Sequence, residues 1–279
     1  MKQLQNAVKW GVMTLLCSGV LACTSHREKE GEDNANAGKV QDAMIGNPPA
    51  EGFHLESSDQ KAIEVADDVM KAMGGRQNWD NTRFISWNFF GVRSLVWDKW
   101  EGRVRIDIPE QETSIAMNIH TMKGKAWVNE KEVSDPEALS NLLQRGKEIW
   151  INDSYWLVMP FKLKDSGVTL KYQGEEADQQ GKRCDVLQLT FESVGVTPEN
   201  KYQVFVEKDS ELVSQWAFFA KATDEEPAFV TPWVGYEKKG NILLSGDRGD
   251  RKLSEIEVHE SLPDKVFTSM AAPTFTEDL

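Results

Sequence analysis

Between residues 83 and 259 the sequence alternates apolar and polar positions in short runs broken by turn signals, and this constrains the fold more than any other feature. Runs of period two occur at 83–91, 93–100, 103–108, 113–120 and 125–129, with Glu101-Gly102 and Lys123-Gly124 among the breaks. They resume at 168–172, 184–191, 201–206, 213–219, 228–236, 241–245 and 252–259. Short connections enforce antiparallel pairing, because a parallel crossover needs a dozen or more residues. An open sheet of that many strands leaves edges and an uncovered face. Runs such as Phe84-Ile85-Ser86-Trp87-Asn88-Phe89-Phe90 are apolar on both sides, so one face can pack on helices while the other lines an interior. The expected fold class is mainly β (α+β): a curved antiparallel sheet or incomplete β-barrel of about 11–12 strands, with an N-terminal helix and a helical lid insertion.

Two regions change period. Ile63, Ala66, Val69, Met70 and Met73 recur at helical spacing behind Ser57 and Gln60, a capping-box pattern, and Gly74-Gly75 ends the run. Asp135-Pro136-Glu137 opens the second region with a cap residue and a first-turn proline, and Leu139, Leu142, Leu143, Ile149 and Trp150 form its apolar face. Residues 153–161 follow as a separate segment that is apolar nearly all round and is expected to be buried.

The first residues read as a processing signal. Lys2 and Lys9 supply the charge, residues 11–21 the apolar run, and Ala22 the small residue before Cys23. About a dozen apolar residues are too few to span a bilayer, which takes about 20. The order of charge, apolar run, small residue and cysteine resembles the bacterial lipoprotein signal, which implies cleavage between Ala22 and Cys23 and acylation of Cys23. An ordinary secretory signal cut elsewhere would leave Cys23 incidental. Acyl chains on Cys23 would hold the protein on a membrane by themselves. Residues 24–56 are polar, with almost no aromatic residue, and cannot bury enough area to offset backbone ordering. The expected organisation is a lipoprotein signal peptide over 1–22, the acylated cysteine and a disordered tether over 23–56, the folded domain over 57–262, and a tail over 263–279. The expected location is the outer membrane, lipid-anchored, facing the periplasm or the cell surface.

The formal charge of −13, from 45 acidic against 32 basic residues, excludes a basic nucleic-acid module. Of three cysteines, Cys17 leaves with the signal and Cys23 carries lipid, so Cys184 has no partner for a disulfide. It lies in a period-two run with no histidine beside it and reads as a small buried hydrophobe.

Met73-Gly74-Gly75 followed by Trp79, the strand with Trp87, then Trp97-Asp98, and above all Tyr155-Trp156-Leu157-Val158-Met159-Pro160-Phe161-Lys162-Leu163 resemble a group of uncharacterised Bacteroidota lipoproteins. That group resembles in turn the lipoprotein-carrier superfamily of the LolA and LolB type. The resemblance implies a half-open barrel lidded by helices, with a hydrophobic cavity for acyl chains. No segment matches the apolar membrane-insertion loop of the receptor type.

Ten tryptophans carry the main functional signal. Most such rings are core, each burying much area. Those spread over strands and helical segments are also candidates to line a ligand cavity: Trp87, Phe89, Trp97, Trp127, Trp150, Trp156, Phe161, Trp216 and Trp233. The expected partner is a lipid, an acyl chain or another hydrophobic ligand, with a protein partner as a further option. Catalytic signatures are missing: no metal-spaced histidines, no Gly-x-Ser-x-Gly elbow and no phosphate loop, so neither a metal nor a cofactor is expected. Asp98 and Glu101, flanking a turn, are the one carboxylate pair suited to a glycan or ester hydrolase. A structural module in an envelope complex is the third reading. Residues 247–251 read as a polar turn without calcium-loop spacing.

Overall fold

The computed structural model describes residues 46–192, 195 and 198–271, all within one compact unit. The signal segment with Ala22 and Cys23, most of the tether and the end of the tail lie outside the described residues.

Fourteen strands form two antiparallel sheets among the described residues. The larger sheet has nine strands: β1 (Phe84–Phe89), β2 (Arg93–Asp98), β3 (Arg103–Ile108), β4 (Thr113–Asn118), β5 (Lys123–Val128), β6 (Lys131–Glu132), β12 (Val234–Lys239), β13 (Ile242–Arg248) and β14 (Arg251–His259). Its order is β12-β13-β14-β1-β2-β3-β4-β5-β6. The smaller sheet joins β7 (Val168–Ala177), β8 (Arg183–Phe191), β9 (Lys201–Glu207), β10 (Val213–Phe219) and β11 (Phe229–Pro232) in the order β11-β10-β9-β8-β7. The barrel is not closed.

The run at 228–236 is two strands in two sheets, and the break is physical. Pro232 has no N–H to extend a ladder, Gly235 takes a positive φ of 71°, and Trp233 between them is fully buried, its N–H bonded to the Ser214 carbonyl. The chain thus crosses from β11 to β12 around one indole.

Alternation holds on both sheets. Ile85, Trp87 and Phe89 of β1, Leu95 and Trp97 of β2, and Val104 and Ile106 of β3 face a core shared with Leu187, Leu189, Val204, Val206, Val213 and Trp216 of the smaller sheet. On the far side of the larger sheet Phe84 and Val96 pack on Leu262, Val266 and Phe267. The segment expected as a tail is therefore packed as far as it is described. Arg105, itself buried, donates to the carbonyls of Val266, Ser269 and Met270 and pairs with Asp107.

Helix α1 (Gln60–Ala72) begins after Asp59, two residues past the expected Ser57 cap. The Asp59 carboxylate is committed to the Lys171 ammonium and the Tyr172 N–H of β7, and Ser58 accepts from Leu170 N–H, so the helix entry is tied to that edge strand. Packing also starts before residue 57: Asn47 is buried and donates to Asp67, and Phe53 joins the core. Gly74 and Gly75 end α1 at positive φ, and a Cβ on Gly74 would lie 2.5 Å from the Asn241 carbonyl. A short helix, α2 (Arg76–Asn81), follows.

The insertion is a single helix, α3 (Pro136–Val158), running into a 3-10 turn at Met159–Lys162. Asp135 caps it, accepting from Ala138 N–H at 2.8 Å, and the two segments expected here are continuous. Gly146 lets the helix approach the larger sheet: a Cβ there would lie 3.0 Å from the Met117 sulfur and 3.1 Å from Ile115. No helix of the described residues is long and apolar enough to cross a membrane.

Candidate functional site: an aromatic cavity under the second half of helix α3

Helix α3 is mostly exposed in its first turns, whereas in its last turns Asp153, Ser154, Leu157 and Val158 are buried and Tyr155 and Trp156 half-buried. Asp153 is fully buried on it and forms a two-point ion pair with Arg93 of β2, with Nη2 2.8 Å from Oδ1. Burial pushes the Asp153 carboxyl above its usual value, and Arg93 only partly opposes this. At the other end of this stretch the buried Arg248 donates to the Trp156 carbonyl at 2.8 Å. Its guanidinium lies 3.4 Å over the Trp233 ring, and its remaining bonds go to the Ser245 hydroxyl and carbonyl and the Asp247 carbonyl. Among the described residues no carboxylate forms an ion pair with it, and burial lowers its pKa to about 9, with the nearby Asp247 charge opposing the shift. The polar turn expected at 247–251 thus hides a buried cation holding the helix.

Around these two anchors α3 brings Trp150, Tyr155 and Trp156 to a space shared with the smaller sheet, which presents Phe191, Tyr202 and Trp216 from β8, β9 and β10. With Lys162, Asp165, Ser166 and Val168 they line a cleft of about 340 Å³ that is open to solvent, within the range of small-molecule sites. Its rings interlock: Tyr202 stacks on Trp216 at 5.0 Å, Trp156 meets Trp216 edge-on at 4.7 Å, and Tyr155 lies 5.6 Å from Tyr202. Phe229 of β11 stacks on Trp156 at 5.8 Å and carries the aromatic surface outward, with 39% of its area exposed. Lys162 and Asp165 form an ion pair in the lining. Burial raises the pKa of both Tyr155 and Tyr202. The Tyr155 hydroxyl and the indole N–H groups of Trp150 and Trp216 are closed to solvent, with no hydrogen-bond partner among the described residues.

Of the nine aromatic candidates, Trp150, Trp156 and Trp216 line this cavity. Trp87, Phe89, Trp97, Phe161 and Trp233 pack in the core cluster, where Phe161 stacks on Trp79 at 4.3 Å and Trp97 meets Trp150 at 5.4 Å. Trp127 is not part of that interior. Ala126 takes the inward position on β5, so Trp127 faces the other side of the sheet, beside Ser114 and a separate cleft lined by Met270 and Ala271. Reasoning from tryptophan alone missed Tyr155, Phe191, Tyr202 and Arg248. The signal for Tyr202 was its alternation with Val204 and Val206 on one strand face.

Asp98 and Glu101 have no geometry for acid–base work. Asp98 is fully buried and takes Arg83 and Arg103 on its two oxygens at 2.7–3.0 Å. Burial opposes its ionisation, but the two guanidinium groups outweigh it and hold the carboxyl below its usual value. Glu101 pairs with the same arginines. Cys184 is fully buried on the outer face of β8 with Val186 and Phe205, and burial raises its thiol pKa. Among the described residues no group of three or more His, Cys, Asp or Glu could hold a metal ion.

No protein family and no curated protein matches the sequence. Solved structures similar to it include the following two. One is a DUF1329 family protein from Desulfovibrio piger, 16% identical, with 75% of this chain and 97% of that chain covered and a TM-score of 0.41. The other is MucB in complex with MucA(peri), 11% identical, with 72% of this chain and 65% of that chain covered and a TM-score of 0.23.

Proposed function

We propose that this protein binds a hydrophobic ligand, a lipid or acyl chain, in the cavity between the second half of α3 and the smaller sheet. The observation that carries the reading is an aromatic-walled space of about 340 Å³ that the protein's own side chains leave unfilled. A concave cleft of this size walled mainly by aromatic rings has the form usual for a small-molecule site. The rings are already interlocked and the helix above them is pinned by Arg93 and Arg248, so little ordering is needed on binding. The body is further proposed to be a single domain carried on an N-terminal tether and anchored to the outer membrane through acylated Cys23, facing the periplasm or the cell surface.

The test is native mass spectrometry with lipidomics on the protein purified from its own envelope. A stoichiometric apolar ligand is expected. Ser166→Trp, at an exposed position lining the cavity, should abolish it while leaving the melting temperature unchanged. A wild-type protein that carries no ligand and takes up no added lipid would sink the reading. Intact mass of the same sample reads the anchor, because acylation at Cys23 adds the mass of the acyl groups and Cys23→Ser removes it.

A further inference from the structure

We propose, building on the anchoring at Cys23 proposed above, that the domain docks on the surface of the bilayer that holds it, with Trp100 in the β2–β3 turn as the contact. Trp100 is the most exposed large apolar side chain among the described residues, with 58% of its area open to solvent. Turns favour Gly, Asn, Asp and Ser, so this hairpin gains nothing locally from an indole. The ring is nevertheless held in place. Its N–H donates to the Asp80 carbonyl at 2.8 Å, and the Arg83 guanidinium lies 5.3 Å from the ring. The turn beneath it is tied by the Trp100 and Glu101 N–H groups to the buried Asp98 carboxylate. A fixed ring loses little freedom on contact, and an indole with its N–H satisfied and most of its area open is the form that tryptophan takes at membrane–water interfaces.

The path of the chain identifies the occupant. The segment that leads from Cys23 is fastened to the body at this same end: Arg76 donates to the Pro48 carbonyl at 3.0 Å and pairs with Asp80, the residue whose carbonyl holds Trp100. Residues 24–45 are all that separate Cys23 from the first described residue, Gly46. Contact between Trp100 and the anchoring bilayer is therefore intramolecular and favoured by a high effective concentration. Charge does not oppose it. The chain carries a formal charge of −13, yet around Trp100 the carboxylates are matched, Asp80 by Arg76, and Asp98 and Glu101 by Arg83 and Arg103. Asp264, also on Arg103, is balanced by Lys99, whose ammonium lies 4.5 Å over the Trp79 ring. This end of an acidic protein is neutral and meets anionic lipid without repulsion.

The experiment places the full acylated protein in vesicles of phosphatidylethanolamine with a minor share of phosphatidylglycerol, with or without bromine on the lipid acyl chains, and compares wild type with Trp100→Phe. Bromine quenches the indoles it touches. Wild type is expected to lose more emission to the brominated chains than the variant does, and the excess should match the emission that Trp100 contributes in unbrominated vesicles. Quenching of the cleft tryptophans by a bound brominated lipid is common to both proteins and cancels. Amide exchange over 99–103 gives a second readout: it should be slower on vesicles than in the soluble Cys23→Ser protein, and Trp100→Ser should abolish the slowing without moving the melting temperature. Equal quenching of wild type and Trp100→Phe, with the acyl mass present at Cys23, would overturn the docking and leave the anchor standing. A chain that lacks the acyl mass and stays off the vesicles would refute the anchor, and the docking with it.

Discussion

Removing Arg93 is the perturbation that most directly tests how the cavity is held together. Asp153 has no exposed surface, and its carboxylate is matched by Arg93 across the gap between α3 and β2. Arg93→Ala leaves that carboxylate buried and unpaired, which costs about 3–5 kcal/mol. For a domain of this size that is a fall in Tm of about 6–20 °C, at about 2–4 °C per kcal/mol. The effect has a pH signature. Burial already raises the Asp153 pKa in the folded state, and loss of Arg93 raises it further. Below about pH 4, the unfolded value, the carboxyl is protonated in both states and the deficit of the variant is smallest. The deficit then grows as pH rises toward the folded value and levels off above it. Thermal unfolding followed by tryptophan fluorescence between pH 4 and 8 measures this. Arg93→Met combined with Asp153→Leu, which replaces the pair by apolar groups, should return stability to within about 1 kcal/mol of wild type. A single variant costing less than about 1 kcal/mol, or a double variant as unstable as the single, would refute the reasoning.

Asp98→Asn should cost about 2–3 kcal/mol, because two guanidinium groups lose their shared charge. Since the folded pKa of Asp98 is lowered, that stability is present above about pH 4 and lost as pH falls through the folded value, so urea midpoints of variant and wild type should converge in acid. Arg105→Ala should free the segment it clamps: amide exchange over 264–270 should quicken, with about 2–3 kcal/mol of global destabilisation. The Cys184 peptide should stay unlabelled by a thiol reagent under native conditions and label fully in denaturant.

Most of the scaffold was legible from period and punctuation. Strands of the larger sheet fell where alternation and turn glycines placed them, and Asp135-Pro136 located the start of α3. What alternation does not encode is the sheet to which a strand belongs. Residues 228–236 read as one run, yet Pro232 and Gly235 bend it around Trp233 and hand the chain from one sheet to the other. Boundaries set by composition also misplaced the edges of the body. Asn47 and Phe53 lie in a polar stretch, and Val266 and Phe267 in a short terminal one, but each finds specific partners far off in sequence: Asp67, the core, and the outer face of β1 and β2. Composition averages over a segment, whereas packing is decided residue by residue.

The division of the aromatics into core and cavity wall shows where sequence reading stops. All nine candidates are large rings on elements with an apolar face, and nothing local separates Trp97 from Trp150, which touch each other. The separation comes from α3. Its second half is fixed laterally by a buried ion pair to β2 and axially by a buried guanidinium from the β13–β14 hairpin, and where it lies decides which rings meet protein and which meet empty space. Asp153 and Arg248 each look like solvent-exposed polar residues in sequence. Their burial costs free energy unless partners are supplied, and the partners, Arg93 and the Trp156 carbonyl, are 60 and 92 positions away. The cavity is therefore set less by its aromatic lining than by two polar contacts outside it. Substitutions at Arg93 or Arg248 should alter ligand affinity even though neither residue lines the cavity.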